Sequence, residues 1–203
     1  MHGTVSLNSV TNFLHALALG TYSWLVYESM RAGDPLYTAA ILYTFLLIFF
    51  LKIVGVVVHL KPIERDRLWS TILWSVIAVG VCFLNYALLV ATNMPTPVVI
   101  GGMAVTLVCV ALFLNSLRTE LRFAYIAGAV SVVYLVVAVF TCGDLRLGLI
   151  LTVLSNIAWI ILVKVPYLFE RGYHNDIYHI ALIVSTYVLY DSVSTGLWQG
   201  GCV

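Results

Sequence analysis

The stretch ILYTFLLIFFLKIVGVVVHL, residues 41–60, is almost unbroken apolar sequence, interrupted by Lys52 and closed by His59. About 20 predominantly apolar residues are what an α-helix needs to cross the hydrocarbon core of a bilayer. The rest of the chain is written in the same way. Of 203 residues, 62% are hydrophobic and 9% charged, and the mean hydropathy is +1.04. Soluble domains have roughly 45–50% apolar and about 25% charged residues. A larger core cannot account for the missing charge, because a soluble chain of this size still needs a wet surface. Lipid is therefore the solvent for most of this surface. The formal net charge of +1 argues against nucleic acid as a partner. Membrane lipids are the expected surroundings, and further membrane subunits are candidate partners.

Working outward from residues 41–60, the pattern predicts an all-α bundle of about seven transmembrane helices forming one domain over residues 1–203. The spans are Asn8–Met30, Tyr37–Leu60, Leu68–Ala91, Val98–Leu114, Phe123–Thr141, Gly148–Val165 and His174–Thr195. The breaks between them carry turn or charge signals, among them Gly33-Asp34-Pro35, Lys61-Pro62, Asn93-Met94-Pro95 and Cys142-Gly143-Asp144. Gly101 and Gly102 would allow close helix packing at the start of the fourth span. The first span has no basic segment before it and begins with polar Asn8, Thr11 and Asn12, so it reads as retained rather than as a cleaved signal.

Lysine and arginine in the short loops set the orientation. Lys61, Arg65, Arg67, Arg118, Arg122, Lys164 and Arg171 fall on the side of the N-terminus; Arg31 and Arg146 fall on the other. The basic side is expected to be cytoplasmic, with the C-terminus outside and the bacterial inner membrane as the location. Cys142 and Cys202 both fall on the far side, where an oxidising compartment would let them form a disulfide or leave two free thiols. Cys82 and Cys109 lie within spans and read as small apolar residues.

Ionisable residues inside spans are costly and are functional suspects. His15, His59, His174 and His179 all fall within about 10 Å of the basic side. They meet only if the first, second and seventh spans are neighbours. The richest segment is His174-Asn175-Asp176-Ile177-Tyr178-His179. Asp176 and His179 stand one turn apart on one helix face, as do Asn175 and His179. His174 points about 140° away from His179. Asp176 and His179, with His59 from another helix, are candidate metal ligands. Asp176 could instead orient the imidazole, or Asn175 and Asp176 could cap the helix. Lys52 stands about 10 Å deeper than His59 on the same helix face, with Gly55 between them. It either lines a polar cavity, binding a head group or carboxylate, or snorkels to the interface. Asn85, Ser155, Asn156, Tyr187 and Asp191 are read as interhelical hydrogen-bonding residues, and Trp69, Trp74, Trp159 and Trp198 as interfacial anchors.

Seven spans, a histidine closing the second and an acid-plus-histidine cluster opening the seventh resemble the CREST superfamily, which includes alkaline ceramidases, progestin and adipoQ receptors and haemolysin III-like proteins. The run His174–His179, with Leu189-Tyr190 downstream, is also similar to an uncharacterised bacterial seven-helix family with an HND-aromatic-H segment. The resemblance implies zinc near one membrane face and hydrolysis of lipid amides or related bonds. It places metal ligands at His59 and His179, with Asp176 as a variant third ligand; Asp176 and Lys52 are the catalytic candidates of a hydrolase reading, with Lys52 orienting the substrate. His15, His174 and Asn175 complete the cluster. The sequence departs from the family at Asn175, where a first histidine is expected, at Gly55, where a serine is expected, and at Ser70, where an acid is expected. Three readings follow. One is a zinc-dependent membrane hydrolase, in which the metal lowers the pKa of a bound water. Another is a non-enzymatic member, either a receptor or a subunit of a larger membrane complex. The third is a haem or pigment carrier with imidazole axial ligands.

Overall fold

A computed structural model of the chain describes the backbone of residues 2–30, 36–60, 67–116 and 119–194, and the side chains of residues 7–30, 39, 42–56, 74–116 and 121–192. The described residues form α-helices joined by short turns, and no strand is found among them. The helices are α1 (His2–Ser29), α2 (Leu36–Leu60), α3 (Arg67–Ala91), α4 (Thr96–Asn115), α5 (Thr119–Phe140), α6 (Gly143–Leu162), α7 (Pro166–Glu170) and α8 (Tyr173–Ser194). The seven long helices correspond to the seven expected spans. The difference is α7, a short helix in the sixth loop that Pro166 opens with its fixed φ. Three long helices also begin several residues earlier than the apolar pattern. α1 starts at His2 rather than Asn8, α5 at Thr119 rather than Phe123, and α6 at Gly143 rather than Gly148. A helix continues until a turn residue stops it, and hydrophobicity does not mark that point. At the start of α6 the turn is made by Gly143 at φ +58°, a conformation with no steric cost for glycine.

Among the described residues, four helices (α3 to α6) are by length and composition long and apolar enough to cross a membrane, over Trp74–Ala91, Thr96–Asn115, Leu121–Phe140 and Gly143–Leu162. α2 adds a shorter described apolar stretch, Leu42–Val56. α1 and α8 are less apolar because they carry the polar side chains of the site described below. The chain is thus an all-α membrane bundle. Its outward faces are apolar: Val79, Ile100, Val139 and Ile161 are exposed, Val139 to 73%. Asn85, Thr106, Asn156 and Ser185 are buried inside. In lipid this distribution leaves apolar groups against the acyl chains and satisfies polar groups within the protein.

Six helices pack in a closed ring, in the order α1, α2, α3, α5, α6, α8 and back to α1; α4 lies outside the ring against α3 and α5. Polar clamps tie neighbouring helices together. Asn85 Nδ2 donates to Thr106 Oγ1 at 2.8 Å and to the Ala129 carbonyl at 3.2 Å, joining α3, α4 and α5. Asn156 Nδ2 donates to Ser131 Oγ at 3.0 Å and its Oδ1 accepts from the Tyr178 hydroxyl at 3.0 Å, joining α5, α6 and α8. Each such bond contributes about 1 kcal/mol within a bilayer. The interhelical roles expected of Asn85 and Asn156 are therefore realised. Ser155 instead returns its hydroxyl to Leu151 O within its own helix.

The two halves of the ring are filled differently. In the half away from the basic loops, Leu88, Leu89, Val133, Val137, Leu149 and Val153 make one core cluster, and Leu19, Val26, Leu42 and Phe45 another. Gly102 admits the Leu89 side chain, which would stand 2.9 Å from an added Cβ, whereas Gly101 faces open space. Of the two glycines flagged for close packing, only Gly102 provides it. Cys142, before α6 on this side, is disulfide-bonded; Cys82 and Cys109 are free. Cys202 lies outside the described residues.

Among the described glycines of the ring, Gly148 marks the tightest contact, between α6 and α8. A Cβ at Gly148 would stand 2.8 Å from the Leu189 side chain and 3.0 Å from its backbone nitrogen. Gly148→Ala is therefore expected to destabilise the bundle by about 1–3 kcal/mol, read as a lower thermal midpoint in detergent. Gly128→Ala, with nothing within 4 Å of the added carbon, should leave the midpoint unchanged.

Candidate functional site: a polar chamber at the basic end

Asn8, Thr11, Asn12 and His15 recur at the three- and four-residue spacing of one helix face. All four are buried, and His15 is only 1% exposed. The stripe faces inward because polar groups in a bilayer are satisfied only against protein or a wet cavity. α1 packs between α2 and α8, so the arrangement that the histidines require is present.

α8 presents Asp176 and His179 to this stripe. Thr11 Oγ1 donates to Asp176 Oδ1 at 2.9 Å, and the His15 and His179 rings are 6.4 Å apart between centroids. α2 brings in Lys52, whose Nζ shares a hydrogen bond with His179 Nδ1 at 3.0 Å and lies 5.7 Å from the centre of the Tyr178 ring. No carboxylate among the described residues pairs with Lys52. Gly55, one turn further along α2, lets α1 approach, since a Cβ there would stand 3.1 Å from Asn12 Oδ1. The space that Gly55 leaves is therefore filled by Asn12. Lys52 does not snorkel; it is held inward.

These groups form the polar end of a chamber of about 660 Å³ bounded by α1, α2, α3, α5, α6 and α8. Its walls are mainly apolar, with Phe45, Ile48, Ile77, Val81, Ile126 and Leu182 among them. Aromatic rings run along the basic end. The Arg122 guanidinium lies 5.0 Å from the Trp74 ring, Trp74 meets Phe123 at 5.9 Å, and Phe123 meets Trp159 at 5.9 Å. Trp74 and Trp159 are thus chamber walls, not interfacial anchors. Trp159, 8% exposed, donates its Nε1–H to Asn175 Oδ1 at 2.9 Å. Trp69 and Trp198 lie outside the described side chains.

His174 faces away from His179, as its five-residue offset requires. Its Nδ1 lies 3.2 Å from Leu168 O and its ring stacks on Phe169 at 5.4 Å, so it ties α8 to α7. Helix α8 begins at Tyr173, so Asn175 and Asp176 are inside the first turn and act as cross-helix partners rather than caps.

Some buried polar atoms of the described residues have no hydrogen-bond partner, Asn85 Oδ1 in the clamp between α3, α4 and α5 among them. Both ring nitrogens of His15, and Oδ1 of Asn8, are buried without a hydrogen bond, and both residues line the chamber. Buried polar atoms are nearly always paired, and an exception calls for a missing partner such as a ligand or water.

The expected zinc site does not assemble from the described donors. Among the described residues no group of three or more His, Cys, Asp or Glu side chains could hold a metal ion, and the Lys52 amine occupies His179 Nδ1. His59 is within α2, but its side chain lies outside those described, so neither its ligand role nor a haem-ligating pair with His179 is placed. No known family model, no curated protein and no solved structure matches this chain. The likeness to the CREST superfamily rests on the quoted residues.

The sequence singled out Lys52, His15, Asp176 and His179, and paired Asp176 with His179 on one helix face, but did not pair Lys52 with His179 or Thr11 with Asp176. Thr11, Asn8 and Asn12 were missed as site residues, although their spacing with His15 was legible. Thr11→Val removes the donor to Asp176 Oδ1 and is expected to cost about 1–3 kcal/mol in detergent unfolding. Thr21→Val, whose hydroxyl bonds only to Leu17 O on an exposed face, should change stability by no more than about 0.5 kcal/mol.

Proposed function

We propose that the protein is a membrane-embedded binding protein for an amphiphile. The apolar body of the ligand lies among the chamber walls and its polar head meets Lys52, His15 and Asn8. The observation that carries this reading is that His15, whose buried ring nitrogens have no hydrogen-bond partner, lines the same mainly apolar chamber as a lysine that no carboxylate pairs with among the described residues. A volume of about 660 Å³ lies within the range of small-molecule sites, about 300–1,000 Å³, which are mostly apolar with a few placed polar groups. With the basic loops in the cytoplasm, of a bacterial inner membrane on this reading, the head would sit on the cytoplasmic side. This is the receptor-like alternative in the sequence, without a requirement for turnover.

The second reading, a zinc-dependent lipid hydrolase, is favoured by Asp176 and His179 on one face of α8 and by His59 in α2. Those residues would supply ligands, and the metal, when bound, would activate a water. The described donors fit it less well than they fit an organic ligand.

Native mass spectrometry of protein released from its own membrane, beside metal analysis, tests both. The binding reading predicts one retained amphiphile per chain, lost when Ile126→Trp fills the chamber. Absence of any retained amphiphile, or its retention in Ile126→Trp, contradicts that reading. Stoichiometric zinc that is lost in His179→Ala would support the hydrolase instead.

A further inference from the structure

Lys52 is the group in the chamber whose surroundings exceed what binding alone requires. A lysine that serves only to offset charge is expected beside a carboxylate, and inside a membrane such pairing is the rule. Lys52 instead has an imidazole nitrogen 3.0 Å from its amine and an aromatic face at 5.7 Å. Lys52 also lines the mainly apolar chamber. An amine held out of bulk water beside a proton acceptor is the arrangement by which lysine becomes a nucleophile toward carbonyl carbon.

From this geometry we infer that Lys52 forms a reversible imine with a long-chain or polyisoprenoid aldehyde bound in the chamber. The inference rests on the amphiphile-binding reading and names the ligand class. The Lys52 nitrogen bonds to the aldehyde carbon as the C=O π bond opens, and His179 Nδ1 takes one proton from that nitrogen and delivers it to the new alkoxide, giving a carbinolamine. His179 then takes the second nitrogen proton and passes it to the hydroxyl, which leaves as water as the C=N bond forms. The products are an imine and one water, and no oxidant or reductant takes part. His15 is placed at the same end of the chamber, with free ring nitrogens for the oxygen or for the departing water. Tyr178 covers one side of the amine. The apolar walls take the chain and keep water, which would hydrolyse the imine, from the bond.

The other lysines provide an internal comparison. Lys164 lies on the exposed turn after α6, and Lys61 follows α2 outside the described residues. A water-soluble aldehyde is expected to favour the exposed Lys164, and an apolar one to favour Lys52.

The test uses the full chain in nanodiscs, incubated with hexadecanal or retinal and cyanoborohydride, which reduces an imine to a stable secondary amine. Peptide mass spectrometry then locates the adduct. The expected result is a single adduct at Lys52, absent in Lys52→Arg and formed at least about tenfold more slowly in His179→Gln, since loss of a general base costs rate. Quenching of tryptophan fluorescence by retinal, with Trp74 and Trp159 lining the chamber, reports entry independently of the covalent step and should persist in both variants. Quenching without reduction at Lys52, or an adduct spread equally over Lys52 and Lys164, overturns the imine and leaves the chamber reading in place. Neither quenching nor an adduct overturns both.

Discussion

The structure depends on a constraint that the bilayer imposes. A polar side chain on a transmembrane helix must find its partner inside the protein. α1 carries four such residues on one face, and α2 and α8 carry Lys52, Asp176 and His179. The bond between Thr11 and Asp176 and the contact between Lys52 and His179 place α1 between the other two helices. Once α8 is docked on α1, the chain that began with α1 and α2 is brought back to its start, and the ring closes. Apolar packing alone discriminates poorly between helix orders in lipid, because acyl chains solvate leucine as well as a neighbouring helix does. The polar contacts therefore supply the specificity of the closure.

The ring is not equally dense along its length. Aliphatic clusters fill the far half, where the tight crossing at Gly148 and Leu189 brings α6 and α8 together, and a further cluster around Val81, Val110 and Phe113 packs α4 against α3 and α5 nearer the basic end. Near the basic loops the same helices carry Trp74, Phe123, Trp159 and Tyr178, whose rings stand as walls around a space. The contrast separates a part packed with aliphatic side chains from a part that leaves a lined chamber. A fully packed bundle would have no use for His15, whose buried nitrogens have no partner among its neighbours.

Much of the fold was legible in the sequence because hydropathy reports directly on the solvent. The all-α membrane class and the seven long helices follow from apolar runs and turn residues. The short helix α7 was not legible, since five residues opened by Pro166 leave no periodic signal. Individual site residues were also legible, because a lysine or histidine inside a span is conspicuous. Their pairing was not, because it depends on which helices become neighbours. Lys52 and His179 are 127 positions apart, and no local pattern records their contact. The roles of Trp74 and Trp159 were misread for a related reason: tryptophans near helix ends look the same in sequence whether they face lipid or the interior. The zinc expectation came from the one-turn spacing of Asp176 and His179 and from family motifs, neither of which reveals that a lysine from α2 reaches the imidazole they would assign to a metal.

The contact that joins the fold to the proposed chemistry is the one between Lys52 and His179, and it can be measured without any ligand. Solid-state NMR of the full chain in lipid, with lysine and histidine labelled with nitrogen-15 and carbon-13, reads the dipolar coupling between the Lys52 side-chain terminus and the His179 ring. The account predicts a strong coupling, matching a nitrogen–nitrogen separation of 3.0 Å, that disappears in Lys52→Met. A His179 ring with no coupling to Lys52, in a bundle that is otherwise folded, would contradict it.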